Sequence, residues 1–222
     1  MIRNRRTGSG ASIEHIIYVH GLWMNGADGL VLRRRLAHDT GMKTHAFHYR
    51  SVAGSMSDIA VGLAEFARDL RAERVHFVGH SLGGLVIYRT LEHVTDLPPG
   101  RVVFLGTPAV ASRAAIGVAQ RLAAVSSLLG RIAAEELLTE QSRRWEIDRQ
   151  LGIVAGTRRV GLGHFFTTLD GDHDGTVSVT ETRLPGATDF ITMPVGHMGL
   201  LVSTRVAHET GRFLREGRFS IE

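Results

Sequence analysis

Short runs rich in β-branched and aromatic residues alternate along the chain with longer stretches of helical periodicity. The runs Ile13–Val19, Lys43–His48, Arg74–Gly79, Arg101–Leu105, Leu151–Ala155 and Asp189–Met193 have the length and composition of strands. Helices are expected between them near Gly29–His38, Met56–Arg71, Leu82–His93, Arg113–Leu129 and Ile132–Trp145, with a last one from about Leu200 to Arg215. Ala60, Leu63, Ala64, Ala67 and Leu70 recur at helical spacing, which gives the second helix one core-facing side. Val102-Val103-Phe104-Leu105 is continuously apolar, as a strand covered on both faces requires. This alternation predicts an α/β fold, a mainly parallel sheet of about six strands with helices on both faces. Such sheets bind ligands at the carboxyl ends of their strands. Chemistry is therefore to be sought just after each strand.

Composition narrows the picture. The chain has 222 residues, 43% apolar and 22% charged, the profile of a soluble globular protein. It carries no cysteine, which excludes a disulfide framework, a thiol nucleophile and thiolate metal sites. The net charge of +4 rests on 25 Arg against one Lys, Lys43. Those arginines are scattered among acids, so solvated helix faces explain them better than a nucleic-acid partner. Residues 1–12 read as a flexible polar leader: Arg3, Arg5 and Arg6 are not followed by the apolar stretch of about 7–15 residues that a signal peptide needs. No run approaches the roughly 18 residues of a membrane helix, so no stable membrane insertion and a cytoplasmic location are expected. Residues 13–222 read as a single domain.

The strongest motif is Gly79-His80-Ser81-Leu82-Gly83, a G-x-S-x-G between a predicted strand and a predicted helix. A serine on that tight turn needs small neighbours and projects its hydroxyl ahead of a helix N-terminus, which supports negative charge. A glycine-rich turn with an N-capping serine is the bland alternative. A serine hydroxyl becomes nucleophilic only when a base takes its proton and an acid orients that base. His197, in the loop between the last strand and the last helix, fits the base. His164 is second, and His208 reads as a surface or packing residue of the final helix. The acid falls in Asp170-Gly-Asp172-His-Asp174-Gly175, where Asp174 fits best, Asp172 next and Asp170 least. Oxyanion donors are expected from the Leu82 N–H and, in His20-Gly21-Leu22-Trp23, from the Leu22 N–H. His20 itself reads as a loop anchor.

Together, Gly79–Gly83, His20-Gly21, Asp174-Gly175 and Gly196-His197-Met198-Gly199-Leu200-Leu201 resemble the α/β-hydrolase family, in particular its small bacterial lipases and esterases. The resemblance runs from about Ile13 to Arg215. It implies a Ser81-Asp174-His197 triad, an oxyanion hole at Leu22 and Leu82, and hydrolysis of a small-molecule or lipid-like ester without a cofactor. Thioester and amide cleavage use the same groups. Trp23, Met24 and Met198 are candidates for an acyl pocket, and each could equally be packing. The Ala- and Leu-rich segment 107–150 is longer than a minimal lipase needs and reads equally as a lid or as two packed helices. One competing pattern stands: Asp170 to Glu181 matches the calcium-loop spacing D-x-D-x-D-G-x5-E. Its flanks lack the two helices such a loop needs. His45 and His48 would point to opposite faces of a strand and make no metal pair.

Overall fold

The computed structural model describes residues 13–51, 54–110, 143–160 and 171–220. Six strands appear: β1 (Glu14–Val19), β2 (Lys43–Phe47), β3 (Arg74–His80), β4 (Val102–Leu105), β5 (Leu151–Gly156) and β6 (Asp189–Met193). They form one parallel sheet in the order β2-β1-β3-β4-β5-β6. The described helices are α1 (Leu30–Thr40), α2 (Met56–Asp69), α3 (Leu82–His93), α4 (Val179–Thr182), α5 (Gly199–Val202) and α6 (Thr204–Glu216).

Period-2 alternation along the strands divides the core into two layers. Ile17, Val19, Phe77 and Phe104 pack with Leu63 of α2 and Leu85 of α3. Ile16, Tyr18, Val78 and Val103 pack on the other face with Leu32 and Leu36 of α1 and Phe213 of α6. Central strands buried on both faces explain the unbroken apolar runs.

Two expectations need correction. The helix expected from Leu200 to Arg215 is two helices. Ser203 between them is extended (φ −72°, ψ 128°), and its Oγ accepts from the Val206 N–H to cap α6. The helix expected to end at Trp145 does not reach it: residues 143–145 are irregular, with the Trp145 N–H donating to the Pro185 carbonyl at 2.8 Å. The rest of that helix, its predecessor Arg113–Leu129, the leader 1–12 and most of the lid candidate lie outside the described residues. No helix among the described residues is long and apolar enough to cross a membrane.

Candidate active site

Ser81 is the joint between β3 and α3, with φ 53° and ψ −125°. Positive φ strains any side chain, and among the described residues just three non-glycine positions adopt it: Trp23, Arg71 and Ser81. Two of the three border this site. The turn is pinned from below by the Ser81 N–H, which donates to the Leu105 carbonyl at 3.0 Å. Gly83 allows α3 to approach β1, because a Cβ there would stand 2.1 Å from the Val19 carbonyl oxygen. Leu82 opens α3, where backbone N–H groups have no intrahelical acceptor.

The loop after β1 reaches the same place. A Cβ on Gly21 would lie 3.1 Å from Ser81 Cβ. His20 is fully buried, donates through Nδ1 to the Gly21 carbonyl at 2.9 Å and stacks on Tyr49 at 4.3 Å. The Tyr49 hydroxyl donates back to the His20 carbonyl at 2.8 Å. Burial pushes the His20 pKa down, so this ring is a neutral anchor, as its sequence context suggests. The Trp23 N–H donates to Ser51 Oγ at 3.0 Å. Leu22 is thereby held between two fixed points.

Asp174 and His197 meet across the ends of β5 and β6. Asp174 is 1% exposed; its Oδ1 accepts from the Thr176 and Val177 N–H groups at 2.9 and 2.7 Å. Its Oδ2 lies 2.6 Å from His197 Nδ1, and the His197 N–H donates to the Asp174 carbonyl at 2.9 Å. A carboxylate only accepts, so Nδ1 carries a proton, and in the neutral ring Nε2 is the nitrogen with the lone pair. Glycines make the room. Gly106, after β4, has φ +56° and its added Cβ would stand 3.0 Å from Asp174 Oδ2 and 3.1 Å from His197 Nδ1. Gly156, at the end of β5, backs directly on Asp174.

His80 joins the two halves. Its ring centroid is 4.6 Å from that of His197, and its Nε2–H donates to the His197 carbonyl at 3.2 Å. The base candidate therefore stands against the residue that precedes the nucleophile candidate. Together these groups supply what nucleophilic acyl chemistry requires: a strained serine, an oriented imidazole and backbone donors at a helix start.

Trp23 and Met198 are exposed at 61% and 51%. Met24 is half-buried and packs against the Ile16–Tyr18 layer. Asp172 is exposed and offers its carbonyl to the Val179 N–H. Asp170 and His164 lie outside the described residues, and His208 is a surface residue of α6. The carboxylate of Glu181 closes a capping box on α4, with Oε2 accepting from the Ser178 N–H and Oγ at 2.8 and 2.9 Å. Asp174 and Glu181 thus have separate sets of hydrogen-bond partners. His80, Gly106 and Gly156 were not singled out for roles by sequence reasoning. His80 lies inside the recognised motif, but its partner is 117 residues away and no local pattern points to it.

A family model described as the alpha/beta hydrolase family matches residues 16–210. No curated protein sequence matches the chain. Among solved structures, a Bacillus licheniformis lipase, BlEst2 in mature form, is 20% identical with a TM-score of 0.71, covering 93% of this chain and 92% of its own. The pyrethroid hydrolase PytH is 16% identical with a TM-score of 0.65, covering 93% and 99%. The RedJ thioesterase from Streptomyces coelicolor is 13% identical with a TM-score of 0.54, covering 90% and 86%. At these identities the likeness is one of fold.

Proposed function

The chain belongs to the alpha/beta hydrolase family, and from that premise we propose that it is a serine hydrolase of carboxylic esters, working through Ser81, His197 and Asp174. The observation that carries this reading is the 2.6 Å contact from His197 Nδ1 to Asp174 Oδ2, which turns Nε2 away from the acid, with the His197 ring packed on His80, the residue before Ser81. Ser81 Oγ attacks the ester carbonyl carbon while His197 Nε2 takes its proton. The developing oxyanion is held by the N–H groups of Leu22 and Leu82. Collapse expels the alcohol, which receives the proton from His197 and leaves an acyl-Ser81 ester. Water, deprotonated by His197, attacks the acyl carbon; the bond to Ser81 Oγ breaks, His197 returns the proton to Oγ, and the acid leaves. Asp174 holds the tautomer and supports the imidazolium without taking the proton itself.

A small-molecule or lipid-like ester is the substrate class. The exposed Trp23 and Met198, with Met24, offer it an apolar approach. A fluorophosphonate probe should label the protein at Ser81, and Ser81→Ala should abolish labelling and lower kcat by about 10⁴-fold or more. Labelling that persists in Ser81→Ala would overturn the proposal. A graded series of nitrophenyl esters, run beside matched thioesters and anilides, decides which bond is cleaved best.

A further inference from the structure

Every side chain in the proposed mechanism sits on a loop or turn, and the loop bearing the base comes from the β6 side of the sheet. The geometry points to His80 as a positioning residue: its Nε2–H, donating to the His197 carbonyl, fixes the His197 backbone over the Ser81 turn. The inference rests on the reading of His197 as the base.

His80 is completely buried at the last position of β3. One end of its ring donates to the His197 carbonyl at 3.2 Å. The other end, Nδ1, is buried and has no hydrogen-bond partner among the described residues. A buried polar atom left without a partner is unfavourable, and a leucine of similar volume would fill the space without that cost. What imidazole alone brings here is the donor at its far end. Since a carbonyl only accepts, Nε2 holds the proton and Nδ1 is a bare lone pair. Burial, together with the neighbouring His197, pushes the His80 pKa well below the ordinary value, so this tautomer is neutral. A neutral ring 4.6 Å from His197 places no second charge beside the imidazolium that forms during acyl transfer.

The second argument is one of reach. His197 is held on its Asp174 side by two bonds, Nδ1 to Oδ2 and its own N–H to the Asp174 carbonyl. Both pull toward the β5 and β6 end of the site. The bond from His80 is the described contact that ties the same residue to β3, the strand that carries Ser81. Without it, the Asp174–His197 pair stays assembled but loses its register against the nucleophile. Misplacement by about 1 Å can cost on the order of 10²-fold in rate.

The experiment compares three substitutions. His80→Leu removes the donor. His80→Gln carries an N–H the same number of bonds from Cβ as histidine Nε2, and His80→Asn carries it one bond short. With a nitrophenyl ester, His80→Leu should lower kcat by about tenfold or more with KM within about twofold of wild type, and His80→Gln should recover most of the loss. Proton NMR gives a readout independent of turnover. The far-downfield proton of the His197–Asp174 bond should survive in His80→Leu, because that pair is anchored separately, while the backbone amide signals of residues 196–199 shift and broaden.

Wild-type kcat in His80→Leu would overturn the proposal, as would His80→Gln performing no better than His80→Leu. If His80→Leu fails to fold, an active His80→Gln beside an impaired His80→Asn supports the proposal and equal activities overturn it. If the wild type hydrolyses nothing, the ester-hydrolase reading fails by itself. The amide signals of residues 196–199 then decide the positioning role: unmoved in His80→Leu, they refute it.

Discussion

Gly106→Ala tests the packing of the site with a single methyl group. Gly106 has φ +56°, and the new Cβ would stand 2.7 Å from Leu200 Cδ1, 3.0 Å from Asp174 Oδ2 and 3.1 Å from His197 Nδ1. Two costs follow. A side chain in the left-handed region costs about 1–2 kcal/mol. Forcing a methyl into packed surroundings adds about 1–3 kcal/mol. Gly41→Ala separates them, because Gly41 has φ +73° and its Cβ would meet nothing within 4 Å. It bears the conformational cost alone, and the unfolded-state gain of replacing glycine is common to both variants. Gly106→Ala should therefore be less stable than Gly41→Ala by about 1–3 kcal/mol in urea unfolding. The methyl also wedges against both partners of the 2.6 Å Asp174–His197 contact. On an ester substrate kcat/KM should fall by roughly 10²-fold in Gly106→Ala and stay near wild type in Gly41→Ala. Equal stability of the two variants, or kcat/KM within about twofold of wild type for Gly106→Ala, would mean that the site accommodates the methyl without strain.

Asp174→Asn should keep the fold and lower kcat by about 10⁴-fold, because the amide favours the wrong imidazole tautomer, whereas Asp172→Asn should stay within about threefold. The reverse ranking would move the acid by two residues. Glu181→Gln should cost about 1 kcal/mol of stability by weakening the α4 capping box, with or without millimolar calcium; a calcium-dependent rise in wild-type melting temperature that this substitution abolishes would restore the ion-site reading. Acid should destabilise the protein. His76 is pushed down to about 4, chiefly by burial, against an ordinary 6.5. Between those values the unfolded chain binds a proton that the folded chain does not, so this stability is full above pH 6.5 and is lost as pH falls toward 4. The loss is at most about 1.4 kcal/mol per pH unit for this histidine, and His76→Gln should flatten the urea-derived slope by about one proton between pH 6 and 5. An unchanged slope would show that His76 is not the titrating group.

The strands were legible because each central one is buried on both faces and leaves an apolar block that needs no partner to be recognised. Local chemistry was harder to read where one pattern serves two physical ends. Ser178-Val-Thr-Glu181 is a capping box at the start of a short helix, yet the same glutamate completes the spacing of a calcium loop. The apolar periodicity from Leu200 onward hid the break at Ser203, since a serine exposes neither the end of one helix nor the start of the next until its backbone turns.

The candidate site was half visible for a topological reason. Ser81, Asp174 and His197 each lie in a recognisable turn, but what holds them together is spread over strand ends that become neighbours only in this sheet order. Gly21 follows β1 and faces Ser81; Gly106 follows β4 and faces the Asp174–His197 contact; Gly156 ends β5 and backs on Asp174. Read one at a time, these glycines are ordinary turn residues. Placed side by side by the order β1-β3-β4-β5, they give the clearance in which the Ser81 turn and the Asp174–His197 contact are each packed. His80 is the same lesson with a side chain: it ends β3, its acceptor His197 follows β6 three strands away, and the two meet only through the sheet order. Pairings across such distances are set by the fold as a whole, so substitutions at His80, Gly106 and Gly156 probe what local sequence patterns leave open.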